Sequence, residues 1–264
     1  MKARDHSPGA QPDEPAGVAP HDAVSPTVAG QAAHWPAALA AGLIAGVAAW
    51  LIGEVAHEFF EPAEVEVIRM GVQTRGPNFD TENEATLKNA LLVFGSLGGV
   101  LGVALGVGAG MARRAPRSAA TAAVVGLMLG VLAGAGTAAV VLPPALRSRS
   151  FREDDLLRPF LVHAALWTPI GAAGGTAFAL GAGRRGSALA AAALGGALGT
   201  LFGTAAYELI GGLAFPMART DGVISLTWPT RLIARLSVTL GAAVGAALGA
   251  QGRRRTSGPS AGPT

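Results

Sequence analysis

Residues 88–111 read KNALLVFGSLGGVLGVALGVGAGM. Beyond Lys88 the stretch carries no charge, and a helix of this length crosses the hydrocarbon core of a bilayer. Gly98, Gly102 and Gly106 recur every fourth residue, so they share one helix face. In lipid no hydrophobic drive pushes helices together, and such a stripe of small residues lets a neighbouring backbone come close. The apolar run is continuous rather than alternating, which predicts a transmembrane helix and not a barrel strand.

Five further blocks have the same character: 36–53, 119–142, 160–182, 188–213 and 231–250. The expected fold is an all-α membrane protein, a six-span bundle over residues 35–251. Thr81 with Glu84 predicts a capping box, so the second helix should begin before the membrane. Ser187 and Thr230 are the expected N-caps of the fifth and sixth helices. Pro169 removes a backbone donor inside the fourth and predicts a kink.

Composition agrees. Of 264 residues 14% are charged, half are hydrophobic and 38 are glycine, with mean hydropathy +0.43. A soluble domain carries about 25% charged residues, so a soluble enzyme is excluded as the leading reading. With no cysteine, disulfides and thiolate metal sites are excluded too. Residues 1–34, rich in Pro, Ala and Asp, and the tail 252–264 cannot bury enough apolar surface to order themselves and are expected to be disordered. Lys2 and Arg4 stand far from the first apolar run, unlike a signal peptide.

The net charge is +3, and 18 of the 20 basic residues are arginine. They flank apolar blocks instead of forming a stripe, so no nucleic acid partner is expected. Short basic loops (Arg113, Arg114 and Arg117; Arg184 and Arg185; Arg253, Arg254 and Arg255) alternate with longer mixed ones at 54–87, 143–159 and 214–230. The positive-inside rule puts the short loops in the cytoplasm, N-in and C-in, in a bacterial inner membrane. Trp35 and Trp228 stand near span ends, as interfacial aromatics do.

The spans resemble one another in two sets. The second, fourth and sixth share glycine stripes and end in arginine. The first, third and fifth share Gly46-Val47-Ala48-Ala49-Trp50, Gly136-Thr137-Ala138-Ala139-Val140 and Gly203-Thr204-Ala205-Ala206-Tyr207. This predicts three tandem helical hairpins. The expected packing positions are Gly42 and Gly46; Gly98, Gly102 and Gly106; Gly126, Gly130 and Gly134; Gly171 and Gly175; Gly195, Gly199 and Gly203; and Gly241, Gly245 and Gly249. They predict a tight bundle with few bulky residues at its centre.

Ionisable groups inside spans are costly and mark candidate sites. Glu54, Asn89, His163, Glu208 and Arg235 all fall toward the predicted outer end, where Glu208 should pair with Arg235 or His163. If the first helix runs on past the membrane, Glu54, His57, Glu58 and Glu61 share one face, and His57, Glu58 and Glu61 become weak metal candidates. The favoured reading of these residues is a solvated acidic extension at the interface, which Pro62 ends. No phosphate loop, dinucleotide fingerprint, zinc-protease pair or nucleophile elbow is present, so no cofactor is expected.

Residues 42–62, an Ala/Gly/Leu span ending Gly53-Glu54 and followed by Glu61-Pro62, loosely resemble the start of the A-type membrane component of cobalt transporters. The resemblance covers about a tenth of the chain and lacks a His-rich segment. Two functions fit the residues. One is a non-enzymatic membrane protein acting through packing, with the bilayer, a homo-oligomer mate or another membrane protein as partner. The other is a small-solute or cation transporter or channel using the outward polar cluster.

Overall fold

The computed structural model describes residues 34–147 and 157–251, apart from 219 and 221. The expected disordered segments lie outside these residues except for His34, as do Arg149, Arg152, Arg253, Arg254 and Arg255. Six helices carry the fold: α1 (His34–Ala56), α2 (Phe79–Ala112), α3 (Pro116–Arg147), α4 (Leu157–Gly181), α5 (Ser187–Ala214) and α6 (Trp228–Gln251). All but α4 are long and apolar enough to cross a membrane. The outward faces expose Leu43, Ile44, Val124, Leu132, Leu194 and Phe202, as a lipid-facing surface requires.

The helices form two layers. α4 packs against both α2 and α6, which makes these three the inner set. α1 lies between α2 and α6, α3 between α2 and α4, and α5 between α4 and α6. α4 is less apolar because it carries His163, Trp167, Thr168 and Pro169. Neighbours cover it on several sides, so it has little need of a lipid-facing surface. The helix runs unbroken through Pro169.

The glycines sit at the seams. A Cβ on Gly98, Gly102 or Gly106 would strike the backbone of Gly130, Gly126 or Ala122 on α3. Gly171 and Gly175 meet α5 in the same way, and Gly199, Gly203, Gly241, Gly245 and Gly249 close the α5–α6 seam. Gly42 and Gly46 on α1 press against Thr239, Ala243 and Leu236 of α6. Gly134 meets Phe94 O, and Gly195 meets Gly245 O. The centre differs from the expectation of few bulky residues. Leu97, Leu101, Leu105, Leu166, Ile170 and Phe178 are fully buried. α2 carries two adjacent stripes: glycines face α3, while Leu101 and Leu105 fill the space against Gly174 of α4. Small residues thin the seams, and large ones fill the middle.

The short basic turns are built alike. Arg114 (φ 55°) and Gly183 (φ 65°) take left-handed geometry after α2 and α4. Ala115 N–H then reaches Gly110 O at 3.0 Å, and Arg184 N–H reaches Ala179 O at 2.8 Å. Pro116 opens α3, where its missing N–H costs nothing. The expected caps move slightly. Asn78 is the N-cap of α2 and Thr81 its reciprocal partner, not the cap, because Asn78 Oδ1 accepts from Thr81 N at 2.9 Å. Gly186 precedes α5 in place of Ser187, and α6 begins at Trp228, ahead of Thr230.

The 54–87 connection holds a β-hairpin that helix-period reading passes over. β1 (Val65–Arg69) pairs antiparallel with β2 (Val72–Gly76), with Arg69 opposite Val72. The two-residue turn Met70-Gly71 has φ of 52° and 79°, the doubly positive pattern of a tight hairpin. Gly71→Val puts a β-branched residue there. Faster amide exchange across 65–76, with the bundle's unfolding midpoint unchanged, is the expected result.

Candidate functional site

The polar residues gather at the end of the bundle away from the basic turns. His163 on α4 and Glu208 on α5 meet through Nδ1 and Oε1. The other ring nitrogen, Nε2, faces Gly222 O at 3.1 Å. A carbonyl only accepts, so Nε2 carries a proton. The Nδ1–Oε1 contact needs a second proton, on the ring or on the carboxyl. The dyad thus holds one shared proton and is neutral as a pair. The imidazole stacks on Trp167 at 4.6 Å and 13°, and Tyr207 stands edge-on to both rings. The Tyr207 hydroxyl bonds Ser225 Oγ and reaches Thr220 O at 3.4 Å.

Glu54 pairs with Arg231, a residue the sequence reading did not single out. Arg231 Nε donates to Glu54 Oε1 at 2.7 Å, and Nη2 donates to Oε2 at 2.6 Å. Nη1 donates to the carbonyls of Ser225 and Leu226 at 3.1 and 2.9 Å. His163, Tyr207 and Arg231 therefore hold Thr220, Gly222, Ser225 and Leu226 down on the bundle. Asn89 does a separate task. Its amide accepts from Phe60 N at 2.8 Å and donates to Phe60 O at 3.0 Å, tying the chain after α1 to α2.

Arg235, one turn after Arg231, is 5% exposed. Among the described residues its guanidinium makes no hydrogen bond and no ion pair. Of the two expected partners of Glu208, His163 meets it and Arg235 does not. The guanidinium lies 5.4 Å from the Phe94 ring centre and close to Gly53. A desolvated cation–π contact contributes about 2 kcal/mol, whereas an unpaired buried ion costs several. Phe94 alone does not offset that cost. Arg235, Arg231, His163, Trp167, Tyr207 and Ser225 line a cavity of about 10 Å³. Trp167 Nε1 is buried with no acceptor among the described residues.

The expected metal face does not form. α1 ends at Ala56, with His57 N–H making its last helical bond to Gly53 O, and Asn89 captures Phe60 instead of letting the helix continue. Glu61 consequently leaves the face. Glu54 is committed to Arg231, His57 Nδ1 donates to Glu54 O at 2.9 Å, and Glu58 is exposed against His57 Nε2 at 3.3 Å. Among the described residues no group of three ligating side chains is placed to hold a metal.

A second concavity, about 720 Å³, opens between α1, α2 and α3 toward the other end. Ala37, Ala41, Ile44, Val103, Gly108 and Met111 are among its wholly apolar lining. Two signals for the missed residues were present in the sequence. Tyr207 is the only tyrosine of the chain, and Arg231 stands at i−4 from Arg235 on the same face. No family model, curated protein or solved structure matches the chain.

Proposed function

We propose that this is a six-span, non-enzymatic integral membrane protein that acts through helix packing and apolar partner contacts. α4 is the sixth span, and the chain is three tandem hairpins, N-in and C-in, in a bacterial inner membrane. The observation that carries the reading is the state of the ionisable groups. Glu54, His163 and Glu208 are engaged within the bundle, and the cavity that His163 lines with Arg235 is about 10 Å³, room for about one water. A solute pathway needs a wetted route; here the polar groups fasten a segment over the bundle end. The apolar groove, lined by small residues such as Ala37, Ala41 and Gly108, takes a transmembrane helix of a partner, a second copy of this chain being the simplest.

The rival reading is transport of a small solute or cation, favoured by one feature: the proton shared between His163 and Glu208 at membrane depth. Reconstituted vesicles separate the two. Background flux in wild type, equal to that of Glu208→Gln, is expected. Saturable flux that Glu208→Gln abolishes and Glu64→Gln leaves intact would sink the packing reading.

A further inference from the structure

We propose that Arg235 and its neighbours bind one small monovalent anion of halide size, held beneath residues 222–227. Three observations on different residues converge. Arg235 is buried without an ion pair or hydrogen bond among the described residues, yet it lines the cavity. Trp167 lines the same cavity, and its indole N–H has no acceptor. Two residues on two helices that line one space therefore carry donors without an acceptor among the described residues.

The third observation is charge. Glu54 cancels Arg231, since the two form a bidentate pair. Glu208 and His163 share one proton and sum to zero, because Gly222 O and the carboxylate both require a proton between them and the ring. Among the described residues, which do not include Arg219 and Asp221, Arg235 is left as one uncompensated positive charge. A single negative charge neutralises the cluster. A cation is repelled by the two guanidinium groups, and a neutral water serves the donors but leaves the charge standing.

Size narrows the ligand class. About 10 Å³ of space holds one water-sized body. Chloride or bromide is of that order, while phosphate, sulfate and organic carboxylates are too large. The lining suits a halide, since it brings Arg235 and Trp167 together with the apolar Val223, Ile224 and Ala234. The site stands whether or not the chain moves any solute, because binding is measured without a gradient.

The test uses the full chain in detergent at constant ionic strength, replacing sodium gluconate stepwise by sodium chloride or bromide. The unfolding midpoint is expected to rise and saturate with either halide, following the linkage of a ligand that binds only the folded state, and to stay flat with sulfate. Arg235→Gln removes the charge and should abolish the response. Trp167→Phe keeps the ring but loses the N–H; it should weaken apparent halide affinity severalfold and serves where Arg235→Gln does not fold. Crystals grown in bromide should show an anomalous peak beside Arg235. Identical midpoints in gluconate and bromide, a halide response that survives Arg235→Gln, or ordered water without anomalous signal would each overturn the site.

Discussion

Gly102→Leu is expected to open the α2–α3 seam and cause a large loss of stability. A Cβ at Gly102 would already overlap the Gly126 carbonyl, and one at Gly126 would lie 2.5 Å from Gly102 O. The obstacle is backbone on both sides, so no rotamer change relieves it. Overpacking in a core costs about 1–3 kcal/mol even where side chains yield, and here two helices must separate. A loss near 3 kcal/mol lowers the midpoint of a chain this size by roughly 6–12 °C. Gly136 is the control, since a Cβ there meets nothing within 4 Å. Gly136→Ala should be neutral or gain up to about 1 kcal/mol from helix propensity. Thermal unfolding in detergent reads both. A wild-type midpoint for Gly102→Leu would mean that α2 and α3 do not meet there.

The second large effect belongs to Arg231→Ala. This one side chain makes a bidentate ion pair with Glu54 and serves two carbonyls of the 215–227 segment. Its loss leaves Glu54 without a partner at a partly buried position. Hydrogen bonds to charged groups contribute about 1.5–3 kcal/mol each, and the pair is part-exposed, so the expected cost is about 2–4 kcal/mol. The midpoint should fall by roughly 5–15 °C, and protease should cut within 215–227 faster than in wild type. Glu54→Gln should cost less, because the amide oxygen still accepts from Arg231. In a double-mutant cycle with Glu54→Ala, the pair should lose less than the sum of its parts. Strict additivity would show that the contact contributes nothing.

Much of this architecture was legible in the chain because its signals are local. The stretch 88–111 is apolar over bilayer length, and its glycines share a face by helical periodicity alone. Each glycine stripe expected to pack does lie at a seam. The hairpin at 65–76 was passed over because two short strands with little apolar alternation give a weak signal beside six long helices. The end of α1 was misread for a different reason. Helical spacing placed His57, Glu58 and Glu61 beyond Glu54, but Asn89, far along the chain, binds Phe60 and takes the backbone out of the helix.

The polar cluster divides along the same line. Hydropathy and spacing alone indicated that Glu54, Asn89, His163, Glu208 and Arg235 belong to one end, because successive antiparallel spans return there. Only the tertiary structure decided who pairs with whom. Arg231 and Arg235 stand one turn apart on one face of α6, and nothing local distinguishes them as partners for Glu54. That choice depends on how far α1 slides along α6, which is fixed where Gly42 and Gly46 lock against Thr239 and Ala243. Periodicity assigns a residue to a face. Interhelical register, a property of two surfaces in contact, assigns Glu54 to Arg231 and leaves Arg235 without a counter-charge in contact among the described residues.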